Sequence, residues 1–305
     1  MKKAKFVFLV FLMFISPYLI LSIHFLDTAK KIYIKDVLSF MELKSRIIAS
    51  NLDDFINLKY DVLSFIREPE FLNLSLDEKK KYITKLYSSN KDFIKEIIIA
   101  NVSGESVFST DKNTKYNFKN DPIFQNAKFE NFSVGAVTYY DNGPAILTIA
   151  EPIIRLKGEK PQFIAIARVS LSRLNQEVLK ASRNIPGYIL LIDSDGRIVC
   201  DSSYNYIFNS GLFIDEKIKN IINSLIGSKI NSYNGYMEFK DGNKLISISK
   251  IESTNFWLCE IENEKNIINY SSIKWAKRIV IAGAILIAIF SFLTLKLAIL
   301  LFKVH

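Results

Sequence analysis

Ile97-Ile98-Ile99-Ala100-Asn101-Val102-Ser103-Gly104 comes back later in the chain as Ile189-Leu190-Leu191-Ile192-Asp193-Ser194-Asp195-Gly196. Each is a short apolar run that ends in a polar turn with Gly at the same place. Each is followed by a return segment, Ser106 to Ser109 and Ile198 to Asp201, so both read as β-hairpins. The likeness continues downstream. Asn142-Gly143-Pro144-Ala145-Ile146-Leu147-Thr148-Ile149 parallels Asp241-Gly242-Asn243-Lys244-Leu245-Ile246-Ser247-Ile248, and Phe163 to Val169 parallels Phe256 to Ile261. A helical segment precedes these later strands in both copies, Pro122 to Ala127 and Asp215 to Ile226. Two copies of strand, strand, helix and three strands predict an α+β fold of two small antiparallel-sheet modules.

Upstream of the repeat, Asp27 to Glu68 contains no Gly and no Pro. A heptad row runs Ile34, Met41, Ile48, Phe55, Val62, and a second, imperfect row runs Leu38, Ser45, Leu52, Lys59, Ile66. Val37, Leu58 and Phe65 widen the stripe. A helix of this length reaches about 60 Å, enough to act as a spine for two stacked modules. Its apolar stripe serves either those modules or a second copy of the chain, and different faces can do both. Beyond Pro69, Ser75-Leu76-Asp77-Glu78 is a capping box that opens a helix to about Ser89. A linker helix over Leu171 to Arg183 is ended by Asn184-Ile185-Pro186-Gly187.

The 49% share of hydrophobic residues, high for a chain with 23% charged ones, traces to two segments. Phe6 to Leu26 follows Lys2, Lys3 and Lys5, and Ile279 to Leu295 is a run of apolar and small residues with a late Thr294, so both are expected to cross a bilayer. Pro17 predicts a kink in the first. That run is longer than the apolar part of a signal peptide and lacks a small-residue cleavage site, so an uncleaved anchor is expected. Of the 40 basic residues, 32 lie with all 31 acidic residues between positions 27 and 272, leaving that part nearly neutral. The excess positive charge sits at the membrane ends, which argues for headgroup contacts and against a nucleic-acid partner. The lysines ahead of the first span orient both termini to the cytoplasm and residues 27–278 to the outside of the plasma membrane.

Enzyme chemistry finds little support. The only histidines are His24 and His305, so the region between the spans has none for a triad, a metal site or a phosphoacceptor. Asp193-Ser194-Asp195-Gly196 opens like a calcium loop, but Tyr204 stands at its twelfth position in place of Glu, and a hairpin turn explains it. No phosphate-binding glycine loop is present. The expectation is a protein that is not an enzyme, with no metal and no cofactor.

The arrangement resembles the double Cache domain, two PAS-like modules on a long N-terminal helix between two membrane helices, as in bacterial chemoreceptors and sensor kinases. The residues that carry the resemblance are the spine helix, Asp121 to Ala127, Asn142 to Ile153, Val169 to Leu174 and Leu191 to Ile198. It implies a cytoplasmic N-terminus at 1–5, membrane helix 6–26, spine 27–68, membrane-distal module 69–170, linker helix 171–187, membrane-proximal module 188–265, juxtamembrane segment 266–278, membrane helix 279–295 and a basic cytoplasmic tail 296–305. It also implies a sheet order 2-1-5-4-3 in each module. Cys200 and Cys259 then flank the first strand at about 9.6 Å, beyond the ~7 Å that a disulfide spans, so two free buried thiols are expected.

Amino-acid-binding members carry Y-x4-R-x-W-Y-x2-A in the distal module and a Tyr and an Asp farther on. Here Tyr116 and Ala127 match, while Asp121 replaces the Arg, Ile123 the Trp and Phe124 the second Tyr. Tyr139 and Asp141 supply the later pair. An Asp cannot grip a carboxylate as Arg does. The candidate ligand site is therefore Tyr116, Asp121, Phe124, Tyr139 and Asp141, two carboxylates and three aromatic rings suited to an amine or other cation. Asp121-Pro122 also fits the start of a short helix, and Asp141-Asn142-Gly143 a hairpin turn. The resemblance implies an extracytoplasmic small-molecule sensor, homodimeric through the spine helix, that relays binding through its membrane helices to a separate signalling protein in trans. The alternatives are a ligand-free membrane scaffold or the sensor half of a split or truncated receptor, since only Lys296 to His305 follow the second span.

Overall fold

The computed structural model describes residues 2–111, 115–129, 133–140, 143–154, 160–183, 185, 187–202, 212–268 and 271–301. Helix α1 runs from Lys2 to Tyr60 and passes into a 3₁₀ segment, Asp61–Arg67. The α-helix therefore stops short of the expected Glu68, for two physical reasons. Glu68 precedes Pro69 and takes an extended ψ of 133°. The tighter winding also turns Leu63, Phe65 and Ile66, close neighbours in sequence, all into the core. Helices α2 (Pro69–Leu72) and α3 (Leu76–Ser89) follow, the second opened by the expected capping box, in which Ser75 and Glu78 each accept from the other's backbone N–H.

Strands β1 (Ile94–Asn101), β2 (Ser106–Ser109), β3 (Ser133–Tyr140), β4 (Gly143–Ile153) and β5 (Phe163–Ser170) form one sheet in the order β2-β1-β5-β4-β3, with α4 (Pro122–Ala127) inserted after β2. After α5 (Ser172–Ser182), β6 (Tyr188–Ile192), β7 (Ile198–Asp201), β8 (Ser232–Phe239), β9 (Gly242–Lys250) and β10 (Trp257–Asn263) repeat that order as β7-β6-β10-β9-β8, with α6 (Glu216–Ser228) in the same place. The repeat in sequence is a repeat in topology. Its turn glycines behave alike, Gly104 at φ +91° and Gly196 at φ +85°, a region that other residues enter only with strain.

The chain divides into two compact units, Glu42–Tyr233 with Ile246–Ile261, and Met1–Met41 with Asn234–Leu245 and Glu262–His305. In the first unit one continuous core takes Ile48, Leu52 and Ile56 from α1, Ile97 and Ile99 from β1, Leu147 and Ile149 from β4, Val178 from α5 and Leu191 and Leu258 from β6 and β10. Ile98 and Ala100 of β1 point the other way, onto Phe118, Phe124 and Ala127. Both faces of β1 are covered, which is why its sequence is a continuous apolar run and not an alternation.

The apolar stripe of α1 packs on the chain's own modules. The polar interruption at Ser45 is fully buried and hydrogen-bonds Ser247 (2.7 Å) and Ser249 (2.9 Å) of β9. Ile32, Phe40, Leu43 and Ile47 are left exposed on α1. Of the heptad positions, the side chains of Leu58, Lys59 and Val62 lie outside the described residues.

In the second unit Met41 packs with Leu245 and Ile267, bordered by Tyr33, Ile34, Val37 and Leu38. Lys30 of α1 pairs with Glu264, the first residue of α7 (Glu264–Ile268). Asn243 Nδ2 donates to Glu264 Oε2 at 2.8 Å and to the Tyr236 hydroxyl at 2.7 Å. Burial raises the Glu264 carboxyl, and donors from Lys30, Tyr236 and Asn243 more than offset it, so its pKa is lowered. Helix α8 spans Ser271–Leu301, and Ile273–Thr294 within it is long and apolar enough to cross a membrane. That is the one such stretch among the described residues, so one of the two expected spans is found. The start of the other expected span, Phe6 to Leu26, carries side chains outside the described residues. Lower in α1, the Tyr18 hydroxyl donates to the Val280 carbonyl of α8.

The cysteines are free and buried. Cys259 lies opposite Leu190 and Cys200 opposite Leu191, so β6 separates them as expected. Burial pushes both thiols up, away from the reactive thiolate. The native protein is expected to take up no maleimide on the timescale that saturates both sites in urea. A Cys200–Cys259 peptide in a non-reducing digest would contradict the strand order.

Candidate functional site

The polar centre of the first sheet is Glu96, a β1 residue with 4% of its surface exposed. It lies opposite Arg168 on β5, which in turn lies opposite Thr148 on β4. A carboxylate in a central strand is costly unless every lone pair finds a donor. Ser109 Oγ donates to Glu96 Oε1 (2.6 Å), and both the Tyr116 hydroxyl (2.8 Å) and Arg168 Nη1 (3.1 Å) donate to Oε2. Arg168 Nη1 also donates to the Tyr116 oxygen at 2.9 Å, closing a triangle of Glu, Tyr and Arg.

Tyr116 is placed from the backbone. Its N–H donates to Ser106 Oγ at 3.0 Å and its carbonyl accepts from Ser106 N, which ties the segment after β2 to that strand. The ring then opens a row: Tyr116 stacks on Phe118 at 5.5 Å between centroids, and Phe118 on Phe124 at 6.2 Å. The Arg168 guanidinium lies 4.5 Å from the centre of the Tyr116 ring, a cation–π pair. At the far end Phe124 is 1% exposed, and the Lys128 ammonium sits 5.7 Å from its ring centre.

Asp121 is the N-cap of α4, its Oδ1 accepting from the N–H of Ile123 (2.8 Å) and of Phe124 (3.5 Å), with Pro122 at the first helical position. α4 lies close on β3, where a methyl group added at Gly135 would meet the Ile123 side chain at 1.9 Å.

The structure thus brings Tyr116 and Phe124 together in one aromatic row and places Asp121 at the start of the helix that carries Phe124. Tyr139 belongs to β3, but its side chain, and all of Asp141, lie outside the described residues. Sequence reasoning missed Glu96, Ser109 and Arg168. Two of them left a signal: Glu96 in Ile94-Lys95-Glu96-Ile97 and Arg168 in Ile166-Ala167-Arg168-Val169 are opposite charges inside apolar strands, and charges are rarely buried unpaired.

Chemically the arrangement is a fixed anion with a partly free cation. Glu96 is saturated by three donors. Arg168 makes its hydrogen bonds to Glu96 and Tyr116 through Nη1, keeps 26% of its side chain exposed, and holds further N–H groups able to meet an acceptor.

No protein-family model matches the chain, and no curated protein does. Solved structures do match. The sensory domain of the Campylobacter jejuni chemoreceptor Tlp3 superposes with a TM-score of 0.59 at 15% identity, covering 79% of this chain and 99% of that one. The ligand-binding domain of the Pseudomonas aeruginosa amino acid chemoreceptor PctB, in complex with L-Arg, gives 0.55 at 14% identity over 78% and 99%. The extracellular domain of the putative histidine kinase rpHK1S-Z16 gives 0.55 at 12% identity over 77% and 99%. The chain therefore has the fold of the double Cache sensory domains of chemoreceptors and histidine kinases, as the spine, the paired modules and the strand order led one to expect.

Proposed function

We propose that this protein is a membrane-anchored extracytoplasmic sensor of a small molecule, which binds in the distal module on the α4 side of the first sheet. The observation that carries the reading is Arg168, held on Tyr116 and Glu96 beside the row Tyr116, Phe118, Phe124, in a fold shared with ligand-binding sensory domains. In this reading Tyr116, Asp121 and Phe124 line the site and Arg168 is its charged group; the Tyr139 side chain and Asp141, also expected there, lie outside the described residues.

The aromatic ring expected to receive a cationic ligand already receives a cation from the chain, and Asp121 is engaged as a helix cap. An amine is therefore the weaker candidate. A small carboxylate, meeting the remaining Arg168 donors, fits the charge better. The neighbouring structures crystallised with L-valine and L-Arg contain ligands of that chemistry.

Binding shifts the distal module against α1, and the shift moves α1 relative to α8 and so reaches a partner protein across the membrane. The chain is bitopic in this reading, with both termini cytoplasmic, and pairs with a second copy through α1, where Ile32, Phe40, Leu43 and Ile47 are exposed. A ligand-free scaffold is the second reading, favoured by one fact: Glu96 and Phe124 are already saturated and packed.

A thermal-shift screen of the full chain in nanodiscs separates the readings. A sensor gives a midpoint raised by about 5 °C at saturating carboxylate, abolished in Arg168→Gln, with polyamines inert. Response to polyamines alone would restore the amine. A flat screen would leave the scaffold.

A further inference from the structure

A recess lies against the other module, away in sequence from the site just described. It encloses about 410 Å³ between α1 and the ends of β8 and β9, within the range of small-molecule sites. Its origin is legible in the side-chain sizes along α1. Arg46, Ala49, Ser50 and Asp53 share one face of the helix, and the two small residues stand between the two charged ones. The charged ones reach across and the small ones leave the space.

At one end Arg46 Nη2 bridges to Ser232 Oγ on β8 at 2.9 Å, and pairs with Glu42 one turn back. At the other end Asp53 Oδ1 accepts from the N–H (2.8 Å) and the hydroxyl (2.5 Å) of Ser253 in the turn after β9. Ala49 is buried at the base, and Asn231 Nδ2 donates to Glu252 Oε1 at 2.7 Å along the rim. Ser50, Ser232 and Ser249 add hydroxyls to the lining.

Both ends keep capacity. The Arg46 hydrogen bonds run through Nη2, which leaves Nε and Nη1 as donors. Among the described residues Asp53 Oδ2 has the 3.3 Å contact with Asn57 alone. Arg46 and Asp53 are separated by about 10 Å along the helix axis. Lys250 and Glu252 add one charge of each sign to the lining, and a recess that has a cation at one end of its helical wall and an anion at the other is complementary to a linear molecule charged oppositely at its two ends. Water meets the two ends separately, and a singly charged ion meets one of them.

We propose that this recess is a second ligand site, which takes a linear zwitterion of the ω-amino acid or dipeptide type with its carboxylate on Arg46 and its ammonium on Asp53. The site is independent of the distal one in every residue, and α1 carries both of its charged groups, so occupancy bears directly on the helix that enters the membrane segment.

The test is calorimetric titration of the full chain in nanodiscs with 6-aminohexanoate and with glycylglycine, against hexanoate and hexylamine as single-charge controls. At least one zwitterion binds saturably at about 1 mM or below, and in the Arg168→Gln chain, which lacks the distal carboxylate site, each control is about tenfold weaker or more, equivalent to about 1.4 kcal/mol. Arg46→Gln and Asp53→Asn each weaken the zwitterion about tenfold, while Arg168→Gln leaves it unchanged. Asp53→Asn keeps an acceptor for Ser253, so the turn stays tied. Should either variant unfold, Ser50→Leu provides the check: it fills the recess from an exposed helix position, removes no side-chain hydrogen bond to any of the described residues and abolishes binding. Absence of saturable binding by both zwitterions overturns the proposal. So does equal binding by the controls in the Arg168→Gln chain, where the distal carboxylate site is removed, survival of zwitterion binding there in Ser50→Leu, or loss of zwitterion binding in Arg168→Gln itself, which would place the ligand in the distal module.

Discussion

Glu96→Ala is expected to cost about 3 kcal/mol of stability, measured by urea unfolding of the full chain in micelles. The loss has a specific origin. The carboxylate is the common acceptor for Ser109, Tyr116 and Arg168, and its removal strands three donors in a nearly closed site. Glu96→Gln keeps the shape and one carbonyl acceptor, so its cost is smaller. The decisive variant is the double one: Glu96→Gln with Arg168→Met removes both charges and recovers much of the loss, because a buried charge costs most when its partner has gone. An alanine variant within about 1 kcal/mol of the parent would mean that the triangle does not hold the sheet centre together.

The second large effect separates two glycines that look equivalent in sequence. Gly104→Ala is expected to destabilise by about 3 kcal/mol or more, the sum of about 1–2 kcal/mol for a side chain at positive φ and a backbone collision. The added carbon would stand 2.5 Å from the Lys119 nitrogen and 2.9 Å from its Cα, neither of which can move without moving the chain. At Gly196 the nearest atom is Lys219 Cδ at 3.0 Å, on a flexible side chain. Gly196→Ala should therefore show little beyond the conformational cost. Equal losses for the two, by the same unfolding measurement, would show that the Lys119 backbone yields.

The pair also marks how far pattern reading carries. The turn glycines, the capping box at Ser75 and Glu78 and the strand count in each copy all come from local rules or from the internal repeat, which act on residues near one another in sequence or at matched positions; the separation of the cysteines came from the sheet order that the double Cache resemblance implies. The end of α1 was misjudged because burial of Leu63, Phe65 and Ile66 together competes with helical spacing, and that competition is settled by the core they enter.

The candidate site was legible only in part. Tyr116 and Phe124 were found because the spacing of a known motif survives in this chain. Asp121 was read two ways, and its hydrogen bonds to Ile123 and Phe124 make it a helix cap. Arg168 and Glu96 are 72 positions apart, and no local pattern joins them. Only the pairing of β1 with β5 sets them opposite each other.

The repeat and the heptad stripe by themselves determined that this chain is two antiparallel modules on a long helix, because periodicity and turn chemistry are properties of neighbouring residues. The tertiary structure alone decided which face of that helix is covered, that Ser45 finds its partners in Ser247 and Ser249, and that the cation beside Tyr116 is Arg168. Each of those depends on strand register, and register is chosen by the energy of whole faces coming together, not by any single stretch of chain.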